Sequence, residues 1–496
     1  MKKFFLILFI LLQFSSLLSQ DLEATLQEIA DDYGVMGMSL HVNVNGTVSE
    51  TYIGLRDYTR NLPVNQNTQY RIASVSKSFT ALGLIKLIND GAIGLDDDIS
   101  EVLGYELRNP NFLNIPITCR MLLSHTSSLQ DGSGYAPFLD ATYNQSPIPN
   151  ISELLLASGS NYTANMWRQE IPGTYFTYSN INYGLIGTLI EVLSGQRFDI
   201  FMREQILIPL EVDGSFNIQD LIDINNVSVL YRYNNGWEAQ WDNYQGIMPI
   251  APNLNDYILG TNGIYFAPHG GLRITAIEMN SIARALASDG AFYNLNITEE
   301  NYQLMKAIAW DYNGSNGDNY GGLFNRWAFG LHHANLSTSD AICLAIPESF
   351  IGHPGEAYGL VSDNYFIEGS DVSFSFLING VQQGYQVGTA AFYTIEEDIF
   401  EAICMHINQI LNQVTFNDIN FEIIPNPAKS YITIALPSEL SNSEIGLLDI
   451  KGKTIKSMRT ETKESIDLML LGISKGVYFI QVNDGEKSSV KKLIVE

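Results

Sequence analysis

The chain opens, after its first twenty residues, on a helical pattern: Leu22, Leu26, Ile29, Ala30 and Tyr33 share one face. Two strand-like runs follow, Met38–Asn45 and Thr51–Arg56. A second helix is predicted from Ser74 to about Asn89, stopping at Gly91. It carries no charge between Lys77 and Lys86, and Phe79, Leu82, Leu84 and Ile85 point all round it. A helix without a polar face is central and buried. Ile181–Leu193 has Tyr183, Ile186, Ile190 and Leu193 spaced for one face. Segments Tyr358–Ile367 and Val372–Ile378 read as strands, and Ile395–Leu411 reads as a closing helix. Beyond it the period changes from helical to extended. Ile432, Ile434 and Leu436 alternate with Tyr431, Thr433 and Ala435, Lys451-Gly452 and Asp484-Gly485 sit between strand-like runs, and Gly476–Val482 is β-rich. A tail of roughly 80 residues built this way predicts a small β-sandwich.

Charge sharpens the division. Residues 21–417 hold 15 Lys+Arg against 43 Asp+Glu, a net −28, and only Lys77, Lys86 and Lys306 are lysines. Residues 418–496 hold 10 Lys+Arg, nine of them Lys, against 11 Asp+Glu, a net −1. Surfaces so different predict two domains, residues 21–412 and 418–496, with a linker at 413–417. The whole chain has 496 residues and a net charge of −27. That charge repels phosphate backbones and anionic headgroups, so a basic nucleic-acid footprint is excluded. Apolar residues at 46% exclude a disordered chain.

The first twenty residues read as an address. Lys2 and Lys3 precede the apolar run Phe4–Leu12, and a Ser/Leu-rich stretch leads to Ser19. This is the layout of a secretory signal peptide, cleaved after Ser19 or Gln20. The run is shorter than the roughly 20 apolar residues that a membrane span needs. Cys119, Cys343 and Cys404 have no metal-ligand spacing and read as buried thiols; an oxidising compartment leaves one disulfide open.

Three separated motifs carry the chemistry. Ser74 stands at the mouth of the buried helix, with Lys77 three residues on and on the same face. A serine hydroxyl is a weak nucleophile until a base takes its proton, and a buried lysine with a lowered pKa can serve. The helix N-terminus offers free N–H groups where an oxyanion develops. By itself this spacing is weak, since Ser488/Lys491 and Ser489/Lys492 repeat it in the β tail. The second motif is Tyr178-Ser179-Asn180. Its phenol could shuttle a proton, and its amide could hold a substrate carbonyl or the lysine. Tyr233-Asn-Asn235-Gly236 competes but reads as a hairpin turn. For the third motif His353-Pro-Gly355 is preferred over His269-Gly-Gly271. An edge strand that aligns substrate needs a small residue, which Gly355 supplies, whereas His269 reads as part of a structural turn before a helix.

In this order the motifs resemble the penicillin-recognising serine hydrolases, the branch of class C β-lactamases, D-Ala-D-Ala carboxypeptidases and related esterases. Gly91-Ala-Ile-Gly-Leu-Asp96, Leu122-Leu-Ser-His125-Thr-Ser-Ser-Leu129 and Gly270-Gly-Leu-Arg-Ile-Thr275 support the likeness, which covers residues ~22–412. It implies an α/β (α+β) domain, an antiparallel sheet flanked by helices beside a helical region. Ser74 would be the nucleophile, with Lys77 and Tyr178 as base and proton shuttle. The N–H groups of Ser74 and Glu356 would form the oxyanion hole, Asn180, His353 and Gly355 would bind substrate, and His125 would be structural. No metal or organic cofactor is implied. The substrate would be a small molecule or a peptidoglycan-derived one.

The sequence departs from the likeness in places. Pro354 stands where a threonine hydroxyl would help to hold a substrate carboxylate, and Arg273 could replace that contact. The turn Ser-Gly-Leu reads Ser127-Ser-Leu129 here. Pocket walls are expected from Asp131–Met166 and Val227–Tyr265. The tail resembles the C-terminal sorting domain of type IX secretion, on Pro425-Asn426-Pro427, Asp449-Ile-Lys-Gly452, Gly476-Val-Tyr-Phe479 and Lys491-Lys-Leu-Ile-Val495. It implies a partner in that secretion machinery and a secreted or cell-surface location reached through the periplasm. The alternatives are an accessory sandwich for the tail and, for the whole, a non-catalytic binding or adhesion protein that keeps the fold.

Overall fold

A computed structural model describes residues 22–255, 257–417, 421–437, 443–449, 453–460, 465–483 and 488–496. The expected signal peptide and the Lys451-Gly452 and Asp484-Gly485 turns lie outside them. Two units pack separately, one up to His406 and one from Ile407.

In the first unit, residues 22–33 are helical, with Leu22, Leu26 and Ala30 buried as their spacing predicts. Among the described residues nine strands form one antiparallel sheet. From one side to the other it runs Leu62–Pro63, Thr47–Asp57, Gly37–Val44, Val372–Ile378, Leu360–Ile367, Phe350–Ala357, His332–Ala334, Arg326–Trp327 and Trp310–Asp311. The first and last parts of the domain meet at its centre, with Met38 opposite Ile378 and Val44 opposite Val372. Every residue of Gly37–Val44 and Val372–Ile378 is buried, so this sheet is covered on both faces and lacks the alternation of a half-wet strand. Helix Ala276–Ala287, started by a Thr275/Glu278 capping box, lies against it and is held by Ser375 Oγ donating to the Ala276 carbonyl at 2.7 Å.

The strand Phe350–Ala357 has a free edge. Leu360–Ile367 pairs with all of it on one side, but His332–Ala334 pairs only with Phe350–Gly352 on the other. Its outer half, His353–Ala357, is left without a strand partner among the described residues, and Pro354, which has no N–H to give, stands there at no cost to the ladder.

Beside the sheet lies the helical region. Its central helix, Ser76–Asn89, buries Ser76 through Leu87, as an all-round apolar run must. Thr80 Oγ1 and Ser78 Oγ tie it to the carbonyls of Pro268 (2.7 Å) and Gly330 (2.8 Å). Asn180–Ser194 packs against it and ends at left-handed Gly195. The closing helix spans Thr394–Asn417. It therefore runs on through the expected linker at 413–417, where Asn412–Asn417 contains neither proline nor glycine to stop it. Cys404 on this helix is joined to Cys343 in a disulfide, and Cys119 remains a buried free thiol. The three-thiol reading is corrected accordingly. Closing a loop of separation 61 restricts the unfolded chain by on the order of 4 kcal/mol.

The second unit has a three-stranded sheet (Glu422–Ile424, Tyr431–Ala435, Ser465–Met469) and a four-stranded one (Thr454–Arg459, Glu444–Leu448, Gly476–Asn483, Ser488–Val495). Ile432 and Ile434 from the first share a core with Ile445, Leu447, Ile480 and Val482 from the second, which is the expected sandwich.

Candidate active site

Ser74 lies in a short 3-10 turn, Ala73–Val75, just ahead of the central helix. Ala73 before it has a φ of +47°, a left-handed conformation that turns the chain sharply and costs a non-glycine residue roughly 1 kcal/mol or more. Ser362 Oγ, on the sheet, donates to the Ile72 carbonyl at 3.1 Å and so fastens this turn to the strands.

Lys77 follows on the helix, fully buried. Its Nζ is 3.0 Å from Ser74 Oγ, 2.9 Å from Asn180 Oδ1 and 3.0 Å from the His269 carbonyl oxygen. Three acceptors match the three protons of an ammonium. Once one proton is gone, two N–H groups keep Asn180 and His269 and the lone pair is left for the Ser74 hydroxyl. Burial lowers the lysine pKa to about 7, against the attraction of the Asp131 carboxylate, which raises it. At neutral pH a large fraction of Lys77 is therefore a neutral amine beside a serine.

Tyr178 lines the same cavity as Ser74, its ring lies 4.7 Å from Lys77 Nζ, and burial raises its pKa strongly, against the Ser74 hydroxyl, which lowers it. It stays protonated at neutral pH. Of the two expected proton-handling groups, Lys77 is thus suited to accept and Tyr178 to relay. His125, 1% exposed, packs its ring 4.6 Å from that of Tyr178, and its Nδ1 lies 3.2 Å from Asn182 Nδ2. It props the tyrosine, which fits a structural histidine.

Of the two partners expected for the Asn180 amide, a substrate carbonyl or the lysine, the structure shows the lysine. The Oδ1 of Asn180 holds Lys77 and its Nδ2 donates to Asp131 Oδ2 at 2.9 Å, so the amide is a bridge from base to carboxylate. Asp131 also accepts from the backbone N–H groups of Asn180 and Ile181, each at 2.9 Å. It caps helix Asn180–Ser194 from 49 residues away, a role that local sequence does not announce.

The His353 imidazole is 1% exposed, with ring centroids 5.3 Å from Trp327 and 6.0 Å from Tyr178. The cavity beside Ser74, about 350 Å³, is walled instead by Pro354, Gly355 and Glu356 of the same strand, together with Tyr178, Phe324 and Phe392. A Cβ on Gly355 would meet Ser362 Oγ at 2.4 Å, the Ile72 oxygen at 2.9 Å and Ser74 N at 3.3 Å. The need for glycine there comes from the strand pressing on the nucleophile turn, in addition to any substrate lying against it. His269 is a neighbour of the site as well, through its carbonyl on Lys77; a backbone contact of this kind has no signature in residue type.

Among the described residues no arginine or lysine lines that cavity. Glu396 does, and burial raises its pKa above the usual carboxylate range. Arg273, considered as a carboxylate anchor, is instead locked in a two-pronged pair with Asp242, at 2.8 and 2.7 Å. Its guanidinium is occupied. Tyr233 to Trp237 forms a hairpin turn as predicted. Ser128 takes a φ of +65°, the conformation for which the Ser-Gly-Leu turn uses glycine. Among the described residues no three His, Cys, Asp or Glu side chains group as metal ligands.

Both parts of the chain are similar to known proteins. Residues 422–496 match the family model for a secretion system C-terminal sorting domain. Protein flp of Staphylococcus aureus (strain MRSA252) is 28% identical over 180 residues, 36% of this chain and 34% of that protein. Penicillin-binding protein 4* of Bacillus subtilis (strain 168) is 28% identical over 215 residues, 42% of this chain and 44% of that protein. The chain thus spans less than half the length of these curated relatives. The D-amino acid amidase from Ochrobactrum anthropi SV3, solved with L-phenylalanine amide, superposes with a TM-score of 0.55 at 20% identity, over 80% of this chain and 99% of that one, and so shares the fold. Residues 22–393 match the family model named Beta-lactamase, and with most of its length inside that match the chain belongs to the beta-lactamase family.

Proposed function

We propose that the first unit is an exported serine hydrolase that acts through an acyl-enzyme on an ester, an amide or a D-amino-acid peptide. The observation that carries this reading is Lys77 Nζ, buried, held by Asn180 and His269, and 3.0 Å from Ser74 Oγ with a pKa near 7. In the proposed sequence Ser74 Oγ attacks the substrate carbonyl carbon as its proton passes to Lys77. Tyr178 carries a proton on to the leaving group, which departs to give the Ser74 ester. Water then attacks that ester by the reverse transfer and frees the acid and the serine. The N–H of Ser74, in the first turn where helix donors have no internal acceptor, and that of Glu356 on the free strand edge supply the oxyanion hole. Gly355 and His353 hold that edge, and Asn180 holds the base. The fold-keeping binding protein is the weaker reading, because such a protein has no use for a depressed lysine facing a serine.

The substrate reading rests on Pro354 and on the absence of a basic side chain from the cavity beside it. Short-chain esters should be turned over faster than lactams, and Pro354→Thr should help lactams preferentially. A panel of p-nitrophenyl esters, nitrocefin and D-Ala-D-Ala peptides, run beside Ser74→Ala, tests both points. Nitrocefin turned over with a higher kcat/KM than p-nitrophenyl acetate would refute the ordering, and Ser74→Ala at wild-type rates would refute the mechanism. The tail is proposed to engage the type IX secretion machinery and to bring the enzyme to the cell surface or the medium.

A further inference from the structure

The cavity that holds Ser74 also holds a carboxyl without a counter-charge. The rings of Tyr320, Phe324, Phe392 and Tyr393 wall it together with two acids, Glu356 and Glu396. Glu356 is compensated, since Arg232 Nη2 lies 3.1 Å from its Oε1. Glu396 is not. Its Oε2 accepts the Tyr393 N–H at 2.6 Å, three residues back at the start of the closing helix. The charges of Glu356 and Glu397 act on it, both of its own sign. A glutamine would serve that backbone N–H equally well, so the cap does not account for the charge.

Behind Glu396 the sheet presents a second acid. Asp363 stands directly opposite Pro354, which lines the cavity, so the two side chains leave the sheet on one face. Its other neighbour across the sheet is Phe376, whose ring lies 5.8 Å from that of Phe400. Phe400 comes four residues after Glu396 and shares its face of the closing helix. The helix therefore lays Glu396 over the patch of sheet that carries Asp363 and Pro354. Asp363 is fully buried, and neither of its oxygens has a hydrogen-bond partner among the described residues. Burial and the Glu396 charge raise its pKa well above the carboxylate range. Acids packed in this way call for a positive charge that brings N–H donors, and the aromatic walls attract the same charge. No third ligand completes a metal site among the described residues. An organic ammonium group meets both needs.

We propose that Glu396, backed by Asp363, selects substrates that carry an ammonium group on a chain reaching away from the scissile bond. The inference rests on the serine-hydrolase reading above and adds the substrate's charge to it. Two substrate pairs differ only by an ammonium in place of a methyl group: p-nitrophenyl 6-aminohexanoate against p-nitrophenyl heptanoate on the acyl side, and 3-(aminomethyl)phenyl acetate against 3-ethylphenyl acetate on the leaving-group side. Rates are divided by those with hydroxide alone and measured in about 1 M NaCl. There the Debye length is about 3 Å, so the long-range pull of an acidic domain is screened while a contact survives. In at least one pair the wild-type kcat/KM should favour the ammonium by roughly tenfold or more, the size of a charge-assisted contact. That ratio should fall to about one in Glu396→Gln, which keeps the acceptor for the Tyr393 N–H. It should hold or rise in Asp363→Asn, where the new amide leaves Glu396 as the charged member. No ammonium preference in either pair, a preference that survives Glu396→Gln, or one lost in Asp363→Asn would overturn the proposal. Fluorophosphonate labelling of the same preparations separates the two readings. A wild type that takes no label fails as a serine hydrolase, whereas one that labels and ignores the ammonium fails only here. If Glu396→Gln does not label, Asp363→Asn carries the comparison.

Discussion

At the residue scale the account turns on the protonation of Lys77. Its neutral form accepts the serine proton, so kcat/KM should rise with pH through about 7 as the ammonium is lost. Asp131 favours the charged form. Asp131→Asn removes that attraction, and the acidic limb of the pH profile should move to lower pH, while a limb that stayed put or moved up would show that Asp131 is only a cap. Ser74 and Lys77 were legible in the sequence because their spacing is local and the helix around them lacks other charges. Tyr178 was legible through its place ahead of a second helix. Asp131 was not, since it reaches the site across 49 residues. Asn180 was found, but its donor, the lysine, could be told from a substrate only once both were placed.

At the scale of elements, the site is made where the free edge of Phe350–Ala357 meets the turn Ala73–Val75. Gly355 is the point of contact. In Gly355→Ala the new Cβ falls 2.4 Å from Ser362 Oγ and 3.3 Å from Ser74 N, so the strand must back away from the nucleophile. A shift of about 1 Å at such a place can cost on the order of 10²-fold in rate. A comparable loss of kcat, with thermal unfolding changed little, is expected; wild-type kcat in the variant would mean that the edge does not set the nucleophile's position. Strand and helix cores were read correctly from their apolar periods, and their ends less so. Thr47–Asp57 begins before the expected Thr51, because residues 47–50 pair with the first strand whatever their polarity. The closing helix runs past Leu411, its expected end.

At the scale of the molecule, two surfaces of different charge belong to two packing units. The near-neutral, lysine-rich tail holds none of the catalytic motifs, and its own Ser-x-x-Lys matches fall on the strand Ser488–Val495, where three-residue spacing puts the two side chains on opposite faces. A chain ending at Asn417, which keeps the closing helix and the Cys343–Cys404 bond whole, should fold and retain ester hydrolysis. In the native host the same chain should stay in the periplasm. Loss of activity in the purified shortened enzyme would favour the accessory-sandwich reading of the tail. The disulfide itself was beyond the sequence, since Cα atoms 5.5 Å apart in space are separated by 61 in the chain and pairing depends on the fold that joins them.

The central claim is a covalent bond to one hydroxyl, and intact-protein mass after a fluorophosphonate, followed by peptide mapping, reads it directly. One adduct is predicted per chain, on Ser74, formed faster as pH rises through about 7 and absent from Ser74→Ala. An unlabelled wild type, or an adduct that persists in Ser74→Ala, would contradict the account.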